Sequence, residues 1–241
     1  MALIVMKFGG TSVADKDRLE NTADIIEAAR ISGDDVIAVL SAQGDTTDEL
    51  INKALEISTN PDKRELDMLI STGEQVSVAL CAMVLRERGI KAVSLTGWQA
   101  GITTDGVFGD ADVKAVDTKR LNNELEKGNV VLLAGFQGVS EDRDITTLGR
   151  GGFDTTAVCI AAAMNADECR IYKDVDGVYT ADPKSDKAAR RFEIISYDEM
   201  IALADSGARV LHKKCVEAAK KYGVEIKVLS SLKKGGGTVV K

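Results

Sequence analysis

Short, almost wholly apolar runs alternate along the chain with longer segments whose apolar positions recur every three or four residues. The short runs are Leu3–Phe8, Val36–Leu40, Ala92–Leu95, Val130–Ala134, Glu168–Tyr172 and Glu225–Ser230. Each reads as a buried strand, because near-continuous apolarity suits a strand covered on both faces. Between the first two, Asp15–Ser32 carries Leu19, Ala23, Ile26 and Arg30 on one helical face, with Gly33 as its stop. A second helix is predicted to start after Thr46, where Thr46 and Glu49 have capping-box spacing. Gln75–Arg88, Thr118–Lys127, Phe153–Met164, Tyr197–Ala204 and Lys213–Tyr222 complete the helical segments, three of them stopped by Gly89, Gly128 and Gly223. This alternation predicts an α/β fold, a mostly parallel sheet with helices on both faces.

At 241 residues the chain can form one large α/β domain. It has no repeat and no proline-rich linker, so residues 1–241 are read as a single domain. The acidic loop after Asp142 is the best place for a seam between an N-terminal lobe, about 1–140, and a C-terminal lobe, about 141–241. Aromatics make up 4% of the chain, so its core must be mainly aliphatic. The net charge of −7 argues against nucleic acid as a partner. No apolar run approaches the roughly 18 residues of a membrane span, and Met1–Met6 lacks the basic flank of a secretory signal. No membrane partner is expected. Cys81, Cys159, Cys169 and Cys215 are widely spaced; Cys81 and Cys159 lie in small-apolar helical stretches and read as buried free thiols. The expected compartment is a reducing cytoplasm. His212 is the single histidine, which removes a His-rich zinc site. Chemistry then rests on Lys, Arg, Asp, Glu and backbone groups, a set suited to phosphoryl transfer.

Lys7 stands near the end of the first strand and is followed closely by Gly9, Gly10, Thr11 and Ser12. Glycines let a backbone approach a ligand and aim N–H groups at an anion, and the lysine adds a full charge. The pattern is a phosphate-handling strand end or a tight turn beside a solvated lysine. A second glycine-rich loop, Gly149-Arg150-Gly151-Gly152-Phe153-Asp154, opens a helix whose N-terminus favours anions. There Arg150 supplies a planar fork of donors, unless it points into water and Asp154 merely caps the helix. Tyr172 to Pro183 leaves a strand through an acidic turn, with Tyr179 placed to meet a base or ribose; a polar hairpin with Asp176-Gly177 at its tip fits equally. Ser71 and Glu74 have capping-box spacing, which gives Glu74 a structural role by default. The loop from Ser41 to Thr47 presents hydroxyls at a strand end. Neither the P-loop pattern nor Gly-x-Gly-x-x-Gly occurs.

Taken in order, Lys7-Phe8-Gly9-Gly10-Thr11-Ser12-Val13, the Ser41–Thr47 loop, Ser71-Thr72-Gly73-Glu74, Gly101-Ile102-Thr103-Thr104-Asp105, Gly135-Phe136-Gln137-Gly138, Gly149–Thr156 and Asp174–Pro183 resemble the aspartate kinases of the amino-acid kinase family. The resemblance covers essentially the whole chain. It implies a three-layer α/β/α sandwich that phosphorylates the β-carboxylate of L-aspartate to 4-phospho-L-aspartate, the first step toward lysine, threonine and methionine. ATP and Mg²⁺ are the implied cofactors, the metal held mainly by ATP phosphates without direct side-chain ligands. By motif position, Lys7, Asp154 and Arg209 would act in catalysis. Ser41, Thr47, Glu74, Arg150 and Phe153 would form the acceptor site. Lys7, Gly9, Gly10, Lys173, Asp174, Tyr179, Asp182 and Arg209 would meet the nucleotide. A homodimer is implied. Three positions depart from the family pattern: Phe153 stands for a serine, Lys173 for a small hydroxyl residue, and Arg209 for a lysine. The chain ends soon after Gly235-Gly236-Gly237-Thr238, where the family usually continues into ACT regulatory domains, so no ACT domain is expected within it. The alternatives are a related kinase for another small carboxylate or amino-acid-like acceptor, and a non-catalytic nucleotide-binding subunit.

Overall fold

The computed structural model describes residues 1–149, 151–181, 186–208, 210–233 and 235–241. In chain order the elements are β1 (Leu3–Phe8), a 3₁₀ turn (Gly10–Ser12), α1 (Lys16–Ile31), β2 (Asp35–Leu40), α2 (Thr46–Ile57), α3 (Lys63–Ile70), α4 (Thr72–Glu87) and β3 (Ala92–Leu95). There follow β4 (Ile102–Thr104), β5 (Val113–Val116), α5 (Lys119–Glu126), β6 (Val130–Ala134), β7 (Gln137–Val139), β8 (Ile145–Thr147) and α6 (Gly152–Met164). The chain ends with β9 (Glu168–Lys173), β10 (Ile194–Ile195), α7 (Tyr197–Asp205), α8 (Lys213–Tyr222), β11 (Ile226–Ser230) and β12 (Thr238–Val240).

Among the described residues, eight strands form the main sheet in the order β10-β12-β11-β9-β1-β2-β6-β3, with only the β11–β12 pairing antiparallel. Strand alternation divides the apolar residues between two cores. Ile4, Met6 and Phe8 of β1 pack with Leu19, Ala23 and Ile26 of α1 and with Cys81 and Leu85 of α4. Val5 joins the opposite core with Ile171 of β9, Ala157 and Ile160 of α6, and Cys215 and Val216 of α8. The result is helices, sheet, helices, the three layers expected. All four cysteines are buried and free.

Several local expectations change. The Ser71 capping box does not form: Ser71 is itself helical (φ −61°, ψ −15°) and its hydroxyl donates to Met68 O. The reason is that α3, which the sequence pattern missed, runs straight into α4, so the backbone offers no free helix start there. Thr46 lies inside α2 rather than capping it; the N-cap is Asp45, which makes no side-chain capping bond. Residues 63–87 together are long and apolar enough, by length and composition, to cross a membrane, but half of the most apolar window is buried within the molecule. The Asp142 loop has a local role in the backbone. It is the turn of the β7–β8 hairpin, in which Gln137 pairs with Thr147, inside a small sheet ordered β5-β4-β7-β8 that the short strands gave no sign of. The Asp176-Gly177 turn is not a hairpin tip either. The antiparallel return comes later, where Tyr179 bridges Arg191 and Phe192 N donates to Val178 O.

Candidate active site

The register of β1 and β9 places the central charges. Lys7 pairs with Ile171, and the two-residue period puts Val5 and Lys7 on the face that also carries Cys169, Ile171 and Lys173. That face is covered by α6, whose first turn holds Asp154. The chain enters α6 through Gly151 at φ +80°, where a Cβ would collide with the His212 side chain at 2.3 Å. Only glycine fits this left-handed, crowded position. Asp154 does not cap the helix. Lys7 Nζ lies 2.8 Å from its Oδ1, a close ion pair without hydrogen-bond alignment. Lys173 Nζ donates to its Oδ2 at 2.8 Å.

Lys7 and Asp154 are each only 4% exposed. Burial alone would push the Asp154 carboxyl up, but the charges of Lys7 and Lys173 and the hydrogen bond from Lys173 outweigh it and hold it at about 2. Burial lowers the pKa of Lys7, an effect that Lys173 adds to and the Asp154 charge opposes. A carboxylate between two ammonium groups leaves one surplus positive charge. The cluster forms part of the wall of a cavity of about 670 Å³, with Phe153, Gly151 and His212.

A second group lies one loop away. Ser41 is buried at the end of β2, and its N–H donates to Phe8 O. The next N–H, of Ala42, donates to Glu74 Oε1 at 3.1 Å. Gly73 makes this possible, since a Cβ there would sit 2.8 Å from that of Ala42. Glu74 is fully buried, and its Oε2 has no hydrogen-bond partner among the described residues. Burial pushes its pKa up to about 8, against the two backbone hydrogen bonds that lower it. An orphaned buried carboxylate oxygen of this kind suits a cationic ligand group. Thr47, half-buried, follows in the first turn of α2.

The two groups meet through Gly10. A Cβ on Gly10 would lie 2.9 Å from Ala42 O and 3.1 Å from Gly44 O. A Cβ on Gly9 would sit 3.6 Å from Lys7 Nζ, an ordinary contact. Gly10→Ala is therefore expected to cost about 1–3 kcal/mol, as overpacking against backbone does, and Gly9→Ala to stay within about 0.5 kcal/mol. Urea unfolding of both variants checks this; equal losses would mean that the loop contact yields.

The structure thus brings together Lys7, Gly9, Phe153, Asp154 and Lys173, and joins Ser41 to Glu74. Phe153 stacks on Phe136 (centroids 4.6 Å apart) with its ring centroid 5.7 Å from Lys7 Nζ, so it both packs and lines the cavity. Asp174 is exposed just beyond β9. Tyr179 donates its hydroxyl to Asp176 Oδ1 at 2.8 Å, which engages the polar end expected to face a nucleotide. Arg150, Asp182 and Arg209 lie outside the described residues. Sequence reasoning gave no role to Phe136, which it quoted only within the Gly135–Gly138 motif, and none to His212 as part of the cavity wall. It also missed Asp67, buried in α3, which accepts hydrogen bonds from Thr147 N, Thr147 Oγ1 and Gly109 N and ties the small sheet to the helices. No sequence pattern marked it.

Residues 2–230 match the family described as "Amino acid kinase family". An aspartokinase of Geobacillus stearothermophilus is 56% identical over 241 residues, which is all of this chain and 59% of that protein. Other aspartokinases are likewise longer: the chain spans about 59% of the length of the curated relatives it matches. Among solved structures, aspartate kinase from Synechocystis superposes with a TM-score of 0.88 at 44% identity, covering 99% of this chain and 39% of that one. E. coli aspartokinase III in complex with aspartate and ADP gives 0.85 at 30% identity, covering 99% of this chain and 64% of that one.

Proposed function

The chain belongs to the amino-acid kinase family, and on that premise we propose that it transfers the γ-phosphoryl group of ATP to the β-carboxylate of L-aspartate, giving 4-phospho-L-aspartate. One observation carries this reading: the turn that follows Lys7, whose ammonium joins Asp154 and Lys173 in a cationic cavity wall, packs through Gly10 against Ala42, the residue that donates to a buried carboxylate with a free oxygen. The cavity suits a phosphoryl group in transit, the carboxylate an α-ammonium group. The relatives named aspartokinase, and the complex of one with aspartate and ADP, support the same pair of substrates.

In the reaction the acceptor carboxylate oxygen forms a bond to the γ-phosphorus as the bond to the β,γ-bridging oxygen breaks. The electron pair leaves with ADP, and no proton has to move. Catalysis is then positioning plus charge stabilisation. Lys7, rigid and buried, faces the transferring group; Glu74 and Ser41 hold the acceptor's amino-acid end; the first turn of α6 adds its dipole. Among the described residues no group of three or more His, Cys, Asp or Glu could hold a metal ion, and each Asp154 oxygen already faces an ammonium group. This donor set fits a Mg²⁺ ion carried on nucleotide phosphates, where it would supply charge neutralisation.

The test is to trap the product. With ATP, Mg²⁺ and L-aspartate, added hydroxylamine should yield the β-hydroxamate in proportion to ADP, and L-glutamate should give little. ADP release without hydroxamate would sink the carboxyl acceptor, and no ADP release with any small carboxylate would sink the kinase. The proposal includes a cytoplasmic setting, supported by the free thiols, and a homodimer, supported by Val76, Leu80 and Met83 exposed along one side of α4. A monomer by light scattering at micromolar concentration would remove the dimer.

A further inference from the structure

We propose that Lys173 is a second catalytic cation, held on Asp154 while the site is empty and transferred to the migrating phosphoryl group when the nucleotide binds. This rests on the kinase reading of the site. The surplus of charge is the starting point. Lys7 alone neutralises Asp154, so a lysine serving only as that carboxylate's partner would be redundant. Lys173 instead gives the trio a net positive charge.

Geometry separates the two lysines. The Lys7 side chain is 5% exposed, and its ammonium is fixed between Asp154 and the Phe153 ring. The Lys173 side chain is 18% exposed, ends β9 at the sheet's C-terminal edge, and forms part of the cavity wall. It can release Oδ2 without stranding Asp154, which keeps Lys7. Its backbone is held separately: Ser231 donates to Lys173 O through both its N–H (2.8 Å) and its hydroxyl (3.1 Å). Removing the side chain therefore leaves the strand end anchored. In the transfer, negative charge moves from the γ-phosphoryl oxygens to the bridging oxygen as the bond to ADP breaks and the bond to the acceptor carboxylate forms. A mobile ammonium group beside that path stabilises the transition state more than the ground state.

The experiment compares wild type, Lys173→Met and Lys173→Arg by calorimetric binding of ADP and of a non-hydrolysable ATP analogue, and by steady-state kinetics. Lys173→Met is expected to lower kcat about 10- to 100-fold, within the range for loss of one electrostatic donor, with KM for aspartate changed by no more than about twofold. It should weaken the ATP analogue several-fold more than ADP, because the charge acts on the γ-phosphoryl group, and Lys173→Arg should recover part of that preference. A methionine variant with normal kcat, or one that weakens both nucleotides alike, overturns the proposal and leaves Lys173 as a partner of Asp154 only. Should Lys173→Met fail to fold by thermal denaturation, Lys173→Thr carries the same measurements. If wild type phosphorylates no carboxylate, the kinase reading fails, while the ATP-analogue-to-ADP preference still judges Lys173.

Discussion

Lys7→Ala is expected to lower kcat by about 10²–10³ while ATP still binds, the loss typical of one preorganised electrostatic donor. The fold of the empty enzyme tolerates this variant because Asp154 is not left alone. Lys173 still donates to its Oδ2, so the fold escapes the penalty of an unpaired buried carboxylate, which runs to about 3–5 kcal/mol when a buried pair is broken. Stability should accordingly fall far less in Lys7→Ala than in an Asp154→Ala variant, which strands two ammonium groups around one void. The measurement is kcat at saturating ATP and aspartate, with urea unfolding alongside. A near-normal kcat removes Lys7 from the mechanism, and a collapse in stability would show that Lys173 cannot hold Asp154 by itself.

The placement of Lys7 was legible in the sequence because it follows from strand alternation alone: an apolar run with a lysine in phase with Val5 must project it to one face. The boundaries of the central strands followed from the same apolar continuity, and β1, β3 and β6 begin and end where the pattern put them. Short elements were not legible. Ile102–Thr104, Gln137–Val139 and Ile145–Thr147 are too brief for a period to register, and they exist because they pair with one another. Glu74 shows the limit at the site. A glutamate three residues after a serine has the spacing of a cap, and only the continuity of α3 into α4 shows that there is no helix start to cap. Its true partner, Ala42, is thirty-two residues away. Asp154 was ambiguous in the same way, and the deciding fact, two lysines converging from β1 and β9, depends on strand order that no local pattern encodes.

Glu74→Gln is expected to raise KM for aspartate by at least roughly 30-fold with kcat little changed, since removing one member of a desolvated charge pair costs about 2–5 kcal/mol. The amide keeps an acceptor for Ala42 N and alters only the charge offered to the α-ammonium group. The wild type should also show a pH signature. With the folded-state pKa raised to about 8 from an ordinary 4.5, the empty enzyme holds Glu74 protonated at neutral pH. Binding an ammonium group requires the carboxylate, so the proton must leave. KM should therefore fall as pH rises toward 8, by up to about tenfold per unit, and level off above it. Calorimetry in buffers of different ionisation enthalpy should detect release of close to one proton on binding near pH 7. Without acceptor the linkage runs the other way. The folded state keeps a proton that the unfolded chain has lost, so wild-type stability should decline between about pH 4.5 and pH 8, and Glu74→Gln should lack that component. A KM that is flat from pH 6 to 8.5 with no proton released, or a glutamine variant with unchanged KM, would take Glu74 out of the acceptor site.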